Sequence, residues 1–265
     1  MKKNDEQTKL KIKIKPEKVQ LVSYIILLVS LIVPIIYLIF KMIFGTLDKN
    51  DAGYHSDADY VLMIVQCLLG IVAINIPTIL AKRFRFEVPA FLYIFYIFFL
   101  WCSIVCGEVA SFYYLIPWWD SFLHASSSLM LGFFGFMVIT ILNRDEHIIM
   151  TLSPFFICLF AFCFAVTVGA LWEIYEFTFD GILGLNMQKF MLSDGTPLVG
   201  HEALKDTMKD IITDALGALV ATIVGYIGLK KNKKWLIPKI TEDEKDKVGS
   251  PYAEQVDTEK ADNQN

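Results

Sequence analysis

The chain has 265 residues, 55% of them apolar, and a formal net charge of −4. A soluble domain holds about 45–50% apolar residues and scatters them by amphipathic patterning; here they form blocks that reach the ~20 residues needed to cross a bilayer. Composition therefore excludes an ordinary soluble enzyme and points to a polytopic membrane protein. The excess of lysine over arginine hints at an AT-rich bacterial genome, and the expected location is the bacterial cell membrane.

Residues 1–18 carry Lys2, Lys3, Lys9, Lys11, Lys13, Lys15 and Lys18, a basic juxtamembrane segment that serves as a positive-inside signal and suits anionic lipid. The first apolar block, "VQLVSYIILLVSLIVPIIYLIF", is longer than the h-region of a signal peptide and is expected to remain as an anchor. Six spans follow the hydropathy, over 19–41, 60–80, 88–107, 120–142, 152–178 and 206–229. They make residues 19–229 one all-α transmembrane helix bundle. Residues 230–265 are charged, poor in large apolar side chains, and read as a disordered cytoplasmic tail.

Orientation follows from the loops. Lys82, Arg83, Arg85, Arg144, Lys230, Lys231, Lys233 and Lys234 fall on the same side as the basic N-terminus, and the alternate loops are poor in positive charge. Both termini are expected in the cytoplasm. Trp118 and Trp119 are expected to anchor the fourth span at the interface. The five cysteines (Cys67, Cys102, Cys106, Cys158 and Cys163) all lie in apolar blocks and read as packing residues, not as a disulfide framework.

Charged groups inside spans are costly and mark function. Asp120 and His124 open the fourth span, Glu173 and Glu176 close the fifth, and Asp206, Asp210 and Asp214 open the sixth. All seven fall at the extracytoplasmic end. Their spacings of three and four put each set on one helix face. Those faces continue as Ser128 and Gly132, as Gly169, Ala165 and Ala161, and as Gly217, Ala221 and Gly225. Small residues let membrane helices approach closely, so the three spans are expected to pack along these faces and gather the seven groups in one polar site.

Six carboxylates in one cavity oppose each other's ionisation unless some stay protonated or a cation enters. His124, Glu173, Asp210 and Asp214 are the expected ligands of a divalent metal, with zinc, manganese and magnesium all open. Without a metal the same groups form an acid/base set or a proton or ion relay. Asp206 also reads as an N-cap of the sixth span. The segment "DGILGLNMQKFMLSDGTPLVGHEALK" is expected to fold over the site, with Asn186 and Gln188 as polar contributors. Lys189, Lys205 and Lys209 can pair with the acids, meet an anionic head group, or snorkel to water.

The order D-x3-H, E-x2-E, then D-x3-D-x3-D-x2-G resembles a bacterial inner-membrane family called YjdF-like and, more distantly, the VanZ-like family. The matching residues are Asp120, His124, Glu173, Glu176, Gln188, Asp206, Asp210, Asp214 and Gly217. Asp214 departs from the VanZ-like pattern, which often has asparagine there. The resemblance implies a fold and a site, with a loose tie to the cell envelope, and no reaction. The chain has no Gly-rich phosphate loop, G-x-S-x-G, H-E-x-x-H or paired C-x-x-C, and its basic runs lack the aromatic interleaving of a nucleic-acid surface. The leading expectation is metal-dependent binding or chemistry on a lipid-linked or envelope substrate, in contact with membrane lipids. An ion- or proton-coupled transporter and a structural or regulatory membrane protein are the alternatives.

Overall fold

A computed structural model of the chain describes residues 16–44, 57–84, 86, 88–142, 152–192 and 195–231. The basic segment before residue 16 and the charged tail after residue 231 lie outside the described residues. The helices in chain order are α1 (Pro16–Phe44), α2 (Asp57–Ala73), α3 (Ile76–Arg83), α4 (Ala90–Leu100), α5 (Phe112–Leu115), α6 (Trp119–Leu142), α7 (Pro154–Leu183) and α8 (His201–Lys230). A π-helical segment, Trp101–Val109, continues α4. Together they make six helical stretches long and apolar enough to span a membrane, and the described residues contain no strand, only isolated bridge residues.

All six expected spans are present, with shifted ends. The fifth runs on to Leu183, where Gly184 (φ 68°) ends it. The sixth starts earlier, at His201, because Gly200 (φ 64°) turns the chain into the helix. Asp206 therefore lies inside α8 and is not its N-cap.

The second span is broken between α2 and α3, and the cause is Pro77. Proline has no N–H to give the carbonyl four residues back, which is that of Ala73. Tyr96 Oη donates to that oxygen instead, at 2.7 Å, so the freed carbonyl is not left orphaned.

Two packing regions result. In the first three spans, Leu27, Leu31, Cys67, Ile74, Ile97 and Leu100 form the core, flanked by Tyr24, Tyr93, Tyr96 and Phe99. Helices α6, α7 and α8 pack against one another along small residues, with Ala161, Ala165, Ala218 and Ala221 fully buried. α4 and its π-helical continuation join the two regions: Leu92 packs with Met130 and Met137, and Cys102 and Cys106 pack with Trp119 and Leu123. Trp119 is thus turned inward, while Trp118 is 60% exposed and remains free to serve as the interfacial anchor. The two cysteines are buried packing residues, as expected.

Candidate polar site at the end of α6, α7 and α8

The N-terminal ends of α6 and α8 and the C-terminal end of α7 meet at one end of the bundle. His124 is at the centre, buried, one turn into α6. Its Nδ1 lies 3.3 Å from both carboxylate oxygens of Asp214 on α8. Its Nε2 faces three other carboxylates: Asp120 Oδ1 at 3.8 Å, Glu173 Oε1 at 3.8 Å and Asp210 Oδ2 at 4.0 Å. None of these three is a hydrogen-bond distance.

Local sequence explains the approach. A Cβ on Gly169 would stand 2.2 Å from Asp214 Oδ2, and one on Gly217 would stand 2.1 Å from Ser128 Oγ and 2.8 Å from the Ala125 carbonyl oxygen. Only glycine lets α7 and α8 come this close to their partners. Ser128 is satisfied within its own helix, donating to the His124 carbonyl at 2.9 Å. Below it Gly132 meets Ala221 and Gly225 meets Phe136, so small and apolar groups close the interior.

The segment between α7 and α8 folds back over the acids. Asp180, buried one turn before the end of α7, accepts the backbone amides of Met187 at 2.8 Å and Gln188 at 3.0 Å. Gln188 then reaches inward, donating to Thr207 Oγ1 at 2.9 Å and approaching Glu173 Oε2 at 3.5 Å. Asn186 instead bonds within its own loop, to both backbone groups of Met191. Lys189, with a left-handed φ of 48°, donates to Asp120 and lies 3.4 Å from Asp206. Burial pulls the pKa of its ammonium down, but the charge and hydrogen bond of Asp120, with Asp206 and Asp210, outweigh that and hold it above the ordinary lysine value.

The seven expected groups are therefore brought to one end of the bundle, in unequal roles. Asp120, His124 and Asp210 each offer a ligand atom within 4.8 Å of the others, with Glu173 beside them. Asp214 holds the opposite ring nitrogen. Asp206 pairs with Lys189. Glu176 is buried but accepts a 3.0 Å hydrogen bond from Trp172 Nε1 on its own helix. Lys205 pairs with Glu202 on the surface of α8.

Three residues of the neighbourhood escaped the sequence reading. Asp180 continues the face of Glu173 and Glu176 by one more turn, a periodicity that was there to be followed. Glu108, at the end of the π-helical segment, accepts from Gln66 Nε2 at 2.8 Å and ties the second span to the third. Tyr113, packed where Gly107 leaves room, has its phenol pKa pushed well up by burial and then by Glu108, Asp120 and Glu176. That places it within electrostatic reach of the site.

Two buried carboxylate oxygens, Glu173 Oε1 and Asp210 Oδ1, have no hydrogen-bond partner, although their residues are only 4% and 2% exposed. Orphaned buried acceptors are costly, and a cation is the natural partner for them.

Residues 22–231 match the family described as predicted membrane protein (DUF2238), and the chain belongs to that family. The matched stretch reaches into all six spans and covers every residue of the site. A Thermotoga maritima protein, described as an uncharacterized protein, is 35% identical over 125 residues, or 46% of this chain and 55% of that one. The chain thus spans about half the length of that relative. No solved structure matches. The family match supports a multi-pass membrane protein; it carries neither the YjdF-like nor the VanZ-like name.

Proposed function

We propose that this member of the predicted membrane protein family DUF2238 binds one divalent metal ion at His124 Nε2. The observation that carries the reading is the imidazole nitrogen facing Asp120, Glu173 and Asp210 at 3.8–4.0 Å, with Glu173 Oε1 and Asp210 Oδ1 unpartnered. Metal–ligand bonds near 2.0–2.2 Å set tetrahedral ligand atoms roughly 3.3–3.6 Å apart. A contraction of a few tenths of an ångström toward the imidazole, and of about an ångström between the carboxylates, would close the site on an ion. Asp214 then acts as the carboxylate behind a metal-bound histidine: Nδ1–H donates to it, which leaves the Nε2 lone pair for the metal. One nitrogen and several carboxylate oxygens suit zinc or manganese.

A metal held there, one turn into α6 and more than two turns inside α7 and α8, could polarise a phosphoryl oxygen or activate water. We infer a lipid-linked or envelope component as the partner and the extracytoplasmic side as the location, because lysine and arginine crowd the opposite loops. A tie to VanZ-like envelope proteins belongs with this reading and is not needed for it. Ion transport draws less support, since Gly132, Ala218, Ala221 and Phe136 fill the interior beneath the site.

Metal content of the detergent-purified chain, measured by mass spectrometry after dialysis against Mn2+ or Zn2+, tests the site. One ion per chain is expected, lost in His124→Ala and bound about 10–100-fold more weakly in Asp214→Asn; an ion count unchanged by His124→Ala sinks the reading. The side is tested separately. Val199 is 85% exposed in the loop over the site, so Val199→Cys on intact cells should react with a membrane-impermeant maleimide where the wild-type chain does not. Labelling only after lysis would reverse the orientation.

A further inference from the structure

Asp120 faces two ways. Its Oδ1 looks toward His124 Nε2 at 3.8 Å, while its Oδ2 accepts from Lys189 Nζ. The same ammonium lies 3.4 Å from Asp206 Oδ1. Asp210, one turn further along α8, is 2% exposed and keeps Oδ1 without a hydrogen-bond partner. A carboxylate shared between two cation positions, with further carboxylates beside each, is how two-metal centres are built. Here a side chain sits where one of the two ions would be.

We propose that Lys189 is a tethered second cation, its ammonium filling, between Asp120 and Asp206, the seat that a second divalent ion would otherwise take beside the metal. The inference rests on the metal reading of His124 given above. It explains why the segment over the site is held so firmly. Asp180 accepts two of its amides, Gln188 anchors to Thr207, and Lys189 itself adopts a backbone conformation uncommon for lysine. A lysine that merely reached for water would need none of these. Because the ammonium is tied to the loop, it cannot exchange with ions in solution. The site is thereby fixed as one metal plus one ammonium, and its acids keep a counter-ion when the metal leaves. At 41% side-chain exposure the ammonium is also the cationic edge of an otherwise acidic cluster.

The full-length chain in detergent, dialysed to saturation against Mn2+ and assayed for manganese per chain, tests the proposal. One ion is expected in the wild type, two in Lys189→Met, one in Lys189→Arg, and one again in Lys189→Met combined with Asp206→Asn. Asparagine suits a left-handed backbone, so Lys189→Asn carries the same expectation as Lys189→Met should the latter fail to fold. One ion in both the wild type and Lys189→Met overturns the tethered cation and leaves the metal reading standing. No ion in either overturns both.

Discussion

The first three spans and the last three solve the same problem with different residues. Both must pack helices in lipid, where burial of apolar surface gives little net drive and close van der Waals contact must suffice. The first half does so with large side chains: Leu27 and Leu31 of α1 and Ile97 and Leu100 of α4 meet with Ile74, at the break between α2 and α3. The second half does so with glycine and alanine, and the backbones come close enough that Gly135 would set a Cβ 2.8 Å from Ala161 Cα. The difference is that the second half also buries His124, Glu173, Asp210 and Asp214. Short separations between helices let side chains from three of them converge on one imidazole. A leucine-packed bundle would hold the same acids too far apart to share a cation.

If that comparison is right, the largest effect should come from adding one methyl group at the tightest crossing of α6 and α8. Gly217→Ala would put a Cβ 2.1 Å from Ser128 Oγ and 2.8 Å from a backbone oxygen of Ala125. The hydroxyl can rotate away but the carbonyl cannot, so the helices must separate. Overpacking of this kind costs about 1–3 kcal/mol. The same separation moves Asp214, one turn along α8, away from His124. Gly217→Ala should therefore lose stability in a denaturant titration and weaken Mn2+ binding together. Full metal affinity with lowered stability would mean that the close crossing and the site are independent.

The sequence carried the pattern of this site but not its assembly. Hydropathy placed six spans, and spacings of three and four placed each acidic set on one face. Small residues on those same faces told which faces meet. What periodicity cannot supply is the rotation of one helix against another, or the path of a loop that folds back. Hence Asp214, equal to Asp210 by spacing, takes the opposite ring nitrogen of His124. Lys189 is brought over Asp120 only because Asp180 gathers the amides of Met187 and Gln188, a contact between a helix face and a loop seven residues on. Trp119 turned inward for a similar reason: Phe112 and Phe122 offer it an aromatic pocket that a two-residue interfacial motif does not disclose. The break at Pro77 interrupts a span expected to run unbroken over 60–80, and its freed carbonyl is satisfied by Tyr96 from the next span, a contact that hydropathy does not disclose.

The smallest effect belongs to the first half, and it is the sharper test of the comparison because it starts from a similar clash. A Cβ on Gly70 would stand 2.6 Å from Ile104 Cδ1 and 3.3 Å from both terminal methyls of Leu31. By distance alone this is nearly as close as Gly217. The neighbours differ in kind, however, because all three atoms are the ends of flexible side chains and none is backbone. Ile104 and Leu31 can turn without moving a helix, and alanine regains about 1 kcal/mol of helix propensity over glycine in a helix interior. Gly70→Ala should therefore change stability by less than about 1 kcal/mol in either direction, with Mn2+ affinity unaltered. A loss as large as that of Gly217→Ala would mean that the first half is as tightly keyed as the second. Close packing would then be a property of the whole bundle, and the gathering of the acids would need a cause other than the small-residue faces on which they lie.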